Sequence, residues 1–126
     1  MTQFYDFQTT EPTLKGHVVR FVGGTAAVTK ELGKGITVTY VSTGLVDLTW
    51  SANFEPPGTF VGLAGKPAFQ ATTPSGIKNF DCAPGVYNTS TRTLRLAIWN
   101  ASGTLTDLAA LQWITLVALF KEDPSL

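Results

Sequence analysis

Short stretches of alternating apolar and polar residues fill most of the chain, separated by glycine and proline turns. Leu94, Leu96 and Ile98 share one face of such a stretch, while Thr93 and Arg95 share the other. The pattern predicts strands near residues 17–23, 25–32, 35–42, 44–53, 59–64, 67–73, 77–82, 91–100 and 112–121. Short strands at this spacing favour two packed sheets over one open sheet. We therefore predict an all-β, single-domain, two-sheet jelly-roll sandwich.

The last predicted strand differs from the others because both of its faces are apolar. One face carries Ile114, Leu116, Ala118 and Phe120, and the other carries Trp113, Thr115, Val117 and Leu119. A two-layer sandwich buries only one face of each strand, so we predict that the second face is a subunit interface. Two alternatives remain open. A loop of the same chain could cover a central strand, or a helix could start near Thr106, although β-branched residues disfavour that helix.

Residues 1–16 show no strand period, and three aromatic residues, Phe4, Tyr5 and Phe7, lie close together there. We predict an extended N-terminal arm, followed by the jelly-roll domain over residues 17–126. A free arm would not normally expose three aromatic side chains, so we expect it to dock against a neighbouring subunit or another protein. The alternative is that the arm covers the open end of its own domain.

Composition narrows the range of partners. The chain has 126 residues, of which 44% are hydrophobic and 14% are charged, and its formal net charge is zero. These values fit one compact, soluble domain and provide no net field that would attract nucleic acid or an anionic membrane. No apolar run approaches the roughly 20 residues that a spanning helix needs, and the N-terminus lacks the pattern of a signal peptide.

Few residues are candidates for catalysis or for binding a metal ion. His17 is the only histidine and Cys82 the only cysteine, which excludes a disulfide and any metal site built on several such residues. We expect His17 to be a surface or edge histidine and Cys82 to be a small core residue. The acidic residues are scattered, and Asp47, inside a strand, should face solvent or pair with an arginine opposite. We assign no catalytic residue, metal or cofactor, and we do not expect an enzyme.

Aromatic residues leave one other class of function open. If two of them were exposed in a groove, they could stack on sugars and make the chain a monomeric carbohydrate-binding module. The candidates are Tyr40, Trp50, Trp99 and Trp113. Core or interface positions are the more common role for such residues in a sandwich.

A family resemblance rests on the succession of turns and strands. A strand in residues 35–42 ends at Thr43 and Gly44 and leads into a strand of alternating apolar residues and threonines. A turn containing proline and the strand at residues 59–63 follow. Residues 91–100, a short loop and the apolar terminal strand complete the pattern. Residues 16–121 thereby resemble the small trimeric jelly rolls of tailed-phage virions, which are similar to complement and tumour-necrosis-factor heads.

The resemblance implies a homotrimer whose terminal strand lies near the three-fold axis. It also implies a virion structural protein: a decoration or cement protein on the major capsid protein, or the receptor-binding head of a tail fibre. We favour decoration, because a short arm with Phe4, Tyr5 and Phe7 and no repetitive stalk suits capsid docking. The expected location is the outer capsid surface, after synthesis in the host cytoplasm.

Overall fold

A computed structural model of the chain describes residues 14–56, 58–64, 80–108 and 112–122. These residues form two antiparallel four-stranded sheets and almost no helix, so the all-β prediction is confirmed. The strands are β1 (Leu14–Gly24), β2 (Ala27–Leu32), β3 (Ile36–Ser42), β4 (Leu45–Trp50), β5 (Thr59–Ala64), β6 (Phe80–Pro84), β7 (Thr93–Asn100) and β8 (Trp113–Lys121). The first sheet has the order β2-β1-β8-β5, and the second has the order β3-β4-β7-β6.

The core lies between the two sheets, an arrangement consistent with a β-sandwich. Alternate residues of each inner strand point to it, as the period of two requires. Its largest fully buried side chains are Trp50, Phe21, Phe120, Leu48, Leu94, Leu96, Ile98, Ile114, Val19 and Val46. Each of these side chains contributes roughly 1.5–3 kcal/mol by leaving water. Burial of one face per strand therefore stabilises both sheets together.

Several predicted boundaries were wrong. β1 starts at Leu14 rather than at residue 17, because residues 14–16 pair with the end of β8, where Leu14 lies opposite Lys121. Residues 14–16, which were assigned to the arm, therefore belong to β1. β4 ends at Trp50, and a 3-10 turn (Ala52–Phe54) replaces the end of the predicted strand at residues 44–53.

Other predictions fall on residues that the structure does not describe. The predicted strand at residues 67–73 lies outside the described residues, as do residues 77–79 of the next one. The arm residues Phe4, Tyr5 and Phe7 also lie outside the described part of the chain.

Asp107 connects the loop before β8 to β3 and to the turn between β3 and β4 through two hydrogen bonds. One carboxylate oxygen accepts a hydrogen bond from the Tyr40 hydroxyl at 3.0 Å, and the other accepts one from the Gly44 N–H at 2.8 Å. The Gly44 carbonyl in turn accepts a hydrogen bond from the Ile98 N–H at 2.7 Å. Gly44 has a φ of +72°, and a Cβ there would lie 2.7 Å from the Ile98 carbonyl oxygen. Only glycine fits this turn without displacing backbone.

We predict that Gly44→Ala lowers the free energy of unfolding by at least about 2 kcal/mol, because strain at positive φ adds to a clash with backbone. Gly103→Ala is the matched control, since Gly103 has a φ of +80° but open space around its Cβ position. That control should lose only roughly 1 kcal/mol. Urea unfolding of both variants tests the difference, and equal losses would contradict the close approach at Gly44.

Candidate interaction surface

The predicted interface residues lie together on the outer face of the first sheet. β8 sits between β1 and β5, and its inward residues Ile114, Leu116, Ala118 and Phe120 are buried. Trp113, Thr115, Val117 and Leu119 alternate with them and are half-buried on the opposite face. The alternative of a helix through these residues is wrong, because cross-strand pairing on both sides holds them extended.

The part of this face around Val117 and Leu119 is apolar, and the exposed Lys121 follows it at the end of β8. Val117 lies opposite Val18 on β1 and Ala64 on β5. Leu119 lies between two glycines, Gly16 and Gly62, which offer no side chain to pack against it. Val18 is 43% exposed. We call the residues Val18, Ala64, Val117 and Leu119 the apolar patch. Within the described part of the chain, no layer covers it.

At the start of β8, a charged side chain of the same sheet lies over the aromatic residue of this face. The Arg20 guanidinium carbon lies 4.4 Å from the centre of the Trp113 ring, and Arg20 Nε donates to Glu31 Oε1 at 2.8 Å. A cation over the ring of a tryptophan is attracted by the negative face of the π system. Trp113 therefore already has a partner within its own sheet, whereas none of the described residues of the other strands lies over the apolar patch.

Sequence reasoning missed both Arg20 and Val18, because they lie on β1 and reach the interface residues only through strand register. The register places Arg20 opposite Thr115 and two pairs away from Trp113, which lies opposite Val22. If the pairing of β1 with β8 had been predicted, its register would have placed both residues beside the interface residues. No local motif signals this pairing.

One half of the outer face of the second sheet is polar, and the other half carries Leu45, Ala97 and Trp99. Arg95 donates to both carboxylate oxygens of Asp47, at 2.8 and 3.2 Å, and the Thr49 and Thr93 hydroxyls lie 3.1 Å apart. The expectation that Asp47 pairs with an arginine opposite it is confirmed. The hydrogen bond to Asp47 also raises the pKa of Arg95. Polar cross-strand pairs suit a face in contact with water.

His17 is not a surface residue. Its side chain is half-buried, contacts the Phe120 ring edge-on at 5.5 Å between centroids, and accepts a hydrogen bond at Nδ1 from the Trp50 indole N–H at 3.2 Å. An edge position does fit, because β2 pairs with β1 only from Arg20 onward. Burial lowers the pKa of the imidazole. The bond from Trp50 requires a lone pair on Nδ1, so the neutral ring carries its proton on Nε2.

Cys82 and Trp50 are core residues. Burial, aided by the charge of Asp81, raises the pKa of the Cys82 thiol to about 12, so the sulfur stays protonated and a poor nucleophile at neutral pH. Trp50 is fully buried and cannot belong to an exposed sugar platform. Tyr40, Trp99 and Trp113 are half-buried, and the Tyr40 hydroxyl binds Asp107.

The described residues offer few other kinds of site. Among the described residues, no group of three or more histidine, cysteine, aspartate or glutamate side chains could hold a metal ion. In the same residues, no helix is long and apolar enough to cross a membrane. Comparison with protein-family models, with curated proteins and with solved structures finds no match to this chain. The apolar patch and the arm therefore remain the features on which a function can be argued.

We predict that acid weakens the fold through His17. Its folded pKa lies below the unfolded value of 6.5, so the unfolded chain binds the proton more readily and stability falls as the pH drops below about 6.5. Protonation would also break the bond from Trp50. Urea unfolding between pH 7.5 and 5 should show this loss, and His17→Asn, which cannot titrate, should reduce it. An equal pH dependence in both proteins would contradict this assignment.

Proposed function

We propose that this chain is a virion structural protein of a tailed phage, a decoration or cement protein that binds the outer shell as a homotrimer. The observation that carries the proposal is the apolar patch on the outer face of the first sheet, which no described residue covers. An uncovered apolar face on a small domain marks a protein–protein contact. Function would then come from association, with no chemistry at the site.

The order of the strands supports a jelly roll. β1 and β8, the first and last strands, are neighbours in the middle of one sheet, and β4 and β7 are neighbours in the middle of the other. The chain crosses between the sheets after β2, after β4, after β5 and after β7. Long-range pairs of this kind occur in jelly rolls. The resemblance of the sequence to trimeric phage jelly rolls favours the same topology.

The position of the patch supports a ring of three copies. β8 would lie near the three-fold axis, with the apolar patch of each copy against its neighbours. Such a ring closes without leaving an open apolar face, as closed symmetry requires. Each Å² of apolar surface buried there would contribute roughly 25 cal/mol before the costs of association. Gly62 beside Leu119, with open space around its Cβ position, would let a neighbouring side chain approach closely.

In the particle, the trimers would bridge adjacent major capsid proteins, and the arm with Phe4, Tyr5 and Phe7 would dock on the shell. Many weak contacts at many copies would together resist the internal pressure of packaged DNA. A formal net charge of zero suits a protein that stays on the outside of the shell and never contacts that DNA.

We predict that Val117→Asp converts the trimer to single chains, because a carboxylate buried among apolar neighbours loses its hydration. Thr37→Asp is the matched control, since Thr37 is exposed on the outer strand of the second sheet. Native mass spectrometry should give three times the chain mass of 13.5 kDa for the control and one chain mass for Val117→Asp. Circular dichroism should show unchanged strand content in both. A trimeric Val117→Asp variant would contradict the interface.

The copy number in purified particles tests the virion role. For a decoration protein we expect quantitative mass spectrometry to give a simple fraction or multiple of the major capsid protein. A few copies per particle would point instead to a tail-fibre head with a receptor site. Complete absence from particles, together with a monomeric mass, would point to a free sugar-binding module. Either of these outcomes overturns the proposal.

A further inference from the structure

A cleft of about 690 Å³ lies beside the turn that joins β2 to β3. Three exposed apolar side chains, those of Val18, Leu32 and Phe54, form much of its wall. Ligand pockets in proteins commonly have volumes of roughly 300–1,000 Å³ and mostly apolar walls with a few polar groups. The cleft therefore has the size and the lining of a site for a small molecule.

Hydrogen bonds hold the turn and the Phe54 side of the cleft together. Lys30 donates to two backbone carbonyls of the turn, at 3.0 and 2.8 Å. The Gly35 carbonyl accepts a hydrogen bond from the Ser51 N–H at 2.8 Å, which connects the turn to the 3-10 turn that ends at Phe54. Gly35 has a φ of +78°, and a Cβ there would collide with the Phe54 ring. Glycine therefore lets the ring lie against the turn, and these two walls are preformed.

Two side chains with N–H donors line the same cleft. Lys34 lies over the Phe54 ring, with its Nζ 5.7 Å from the ring centre. His17 uses Nδ1 to accept the hydrogen bond from Trp50, so Nε2–H is the donor that its ring can offer a ligand. Lys15 also lines the cleft, but it already has an interaction within the chain, so Lys34 is the better placed cation.

Glu55 brings a negative charge to the lining, and its field is partly offset. Burial, and after it the charge of Glu55, raises the pKa of Tyr87, while the charge of Arg92 lowers it. Glu55 and Arg92 therefore act on the same hydroxyl with opposite sign. The charge that lies over the Phe54 ring is that of Lys34. A ligand that rests on this ring is favoured if it is an anion.

We propose that the cleft binds a small molecule with an aromatic body and one carboxylate. The aromatic body would pack between Leu32 and Phe54, because aromatic pairs contribute more than the area that they bury. The carboxylate would accept hydrogen bonds from Lys34 Nζ and His17 Nε2, and bonds between charged groups are the stronger ones. This site goes beyond the proposed virion role and does not depend on it.

Titration of the full chain with three matched compounds at pH 7.5 tests the class of ligand. Phenylbutyrate, phenylbutanol and phenylbutylamine share one aromatic body and differ in the charge of the polar end. We expect phenylbutyrate to bind roughly five-fold more tightly than phenylbutanol, as one partly exposed ion pair allows, and phenylbutylamine to bind most weakly. Equal affinities for the acid and the alcohol, tightest binding of the amine, or no binding of phenylbutyrate would each overturn the proposal.

The amide signals of the same protein locate the bound compound. In two-dimensional NMR spectra, phenylbutyrate should shift the signals of residues 32–35 and of Phe54 most, and should leave Gly103 unchanged. Shifts centred on Thr115 and Val117 would place the compound on the apolar patch and would overturn the proposal. Native mass spectrometry of the same samples reports association, so failure of the trimer is distinguishable from failure of this site.

Lys34→Met tests the charge, because it removes the ammonium group and keeps an apolar stem. Its affinity for phenylbutyrate should fall roughly five-fold, and its affinity for phenylbutanol should not change. Arg95→Met is the matched control, since Arg95 is exposed on the second sheet and its loss changes the net charge equally. Unchanged binding of phenylbutyrate by Lys34→Met, or an equal loss in both variants, would overturn the proposal.

Phe54→Ala tests the apolar wall. Phenylbutyrate and phenylbutanol should both bind more weakly to this variant, because both rest on the ring that it removes. Val86→Ala is the matched control, since Val86 is 93% exposed and does not line the cleft. Circular dichroism should show the same strand content in both variants. Unchanged binding of both compounds by Phe54→Ala would overturn the proposal.

Discussion

The pairing of the first strand with the last is the interaction on which the rest of the structure depends. β1 and β8 run antiparallel from Leu14 opposite Lys121 to Val22 opposite Trp113. This ladder joins residues about a hundred positions apart and brings the two ends of the domain into the middle of one sheet. Closing so long a loop is entropically costly, and the buried side chains of Val19, Phe21 and Phe120 offset that cost.

The same register decides what the protein presents to its surroundings. The register places Val18 beside Val117 and Gly16 beside Leu119. This part of the outer face of the first sheet is therefore apolar, and few side chains protrude from it. The register also places Arg20 over Trp113 at the other end, where charge covers the ring. The apolar patch and the charged residue over Trp113 are therefore both results of one strand pairing.

Much of this architecture could be predicted from the sequence, because alternation with a period of two is a local signal. Leu94, Leu96 and Ile98 are buried as their spacing indicates. The last apolar segment is a strand, as predicted, and Asp47 pairs with an arginine opposite it. The ends of strands were less predictable. Leu14 joins β1 only because Lys121 lies opposite it, and no neighbouring residue signals that contact.

The candidate surface was only half predictable for the same reason. The strand carrying Trp113, Val117 and Leu119 was identified from its own residues, whereas its neighbours on β1 and β5 depend on register. The partner of His17 was not predictable from the sequence, because its hydrogen bond comes from Trp50, on a strand of the other sheet. A lone polar residue at the start of a strand is typical of a surface position, and only the packed structure shows the donor.

Carbene labelling of the two most comparable valines tests most directly whether the apolar patch is covered. In the single chain Val18 on the first sheet is 43% exposed and Val41 on the second is 38% exposed, so two residues of one type should react almost equally. We predict that the ratio of Val18 labelling to Val41 labelling is well below one in the unaltered protein. The ratio should rise in the Val117→Asp variant, in which the interface is broken. A ratio near one in both proteins would contradict a covered patch and, with it, the trimer.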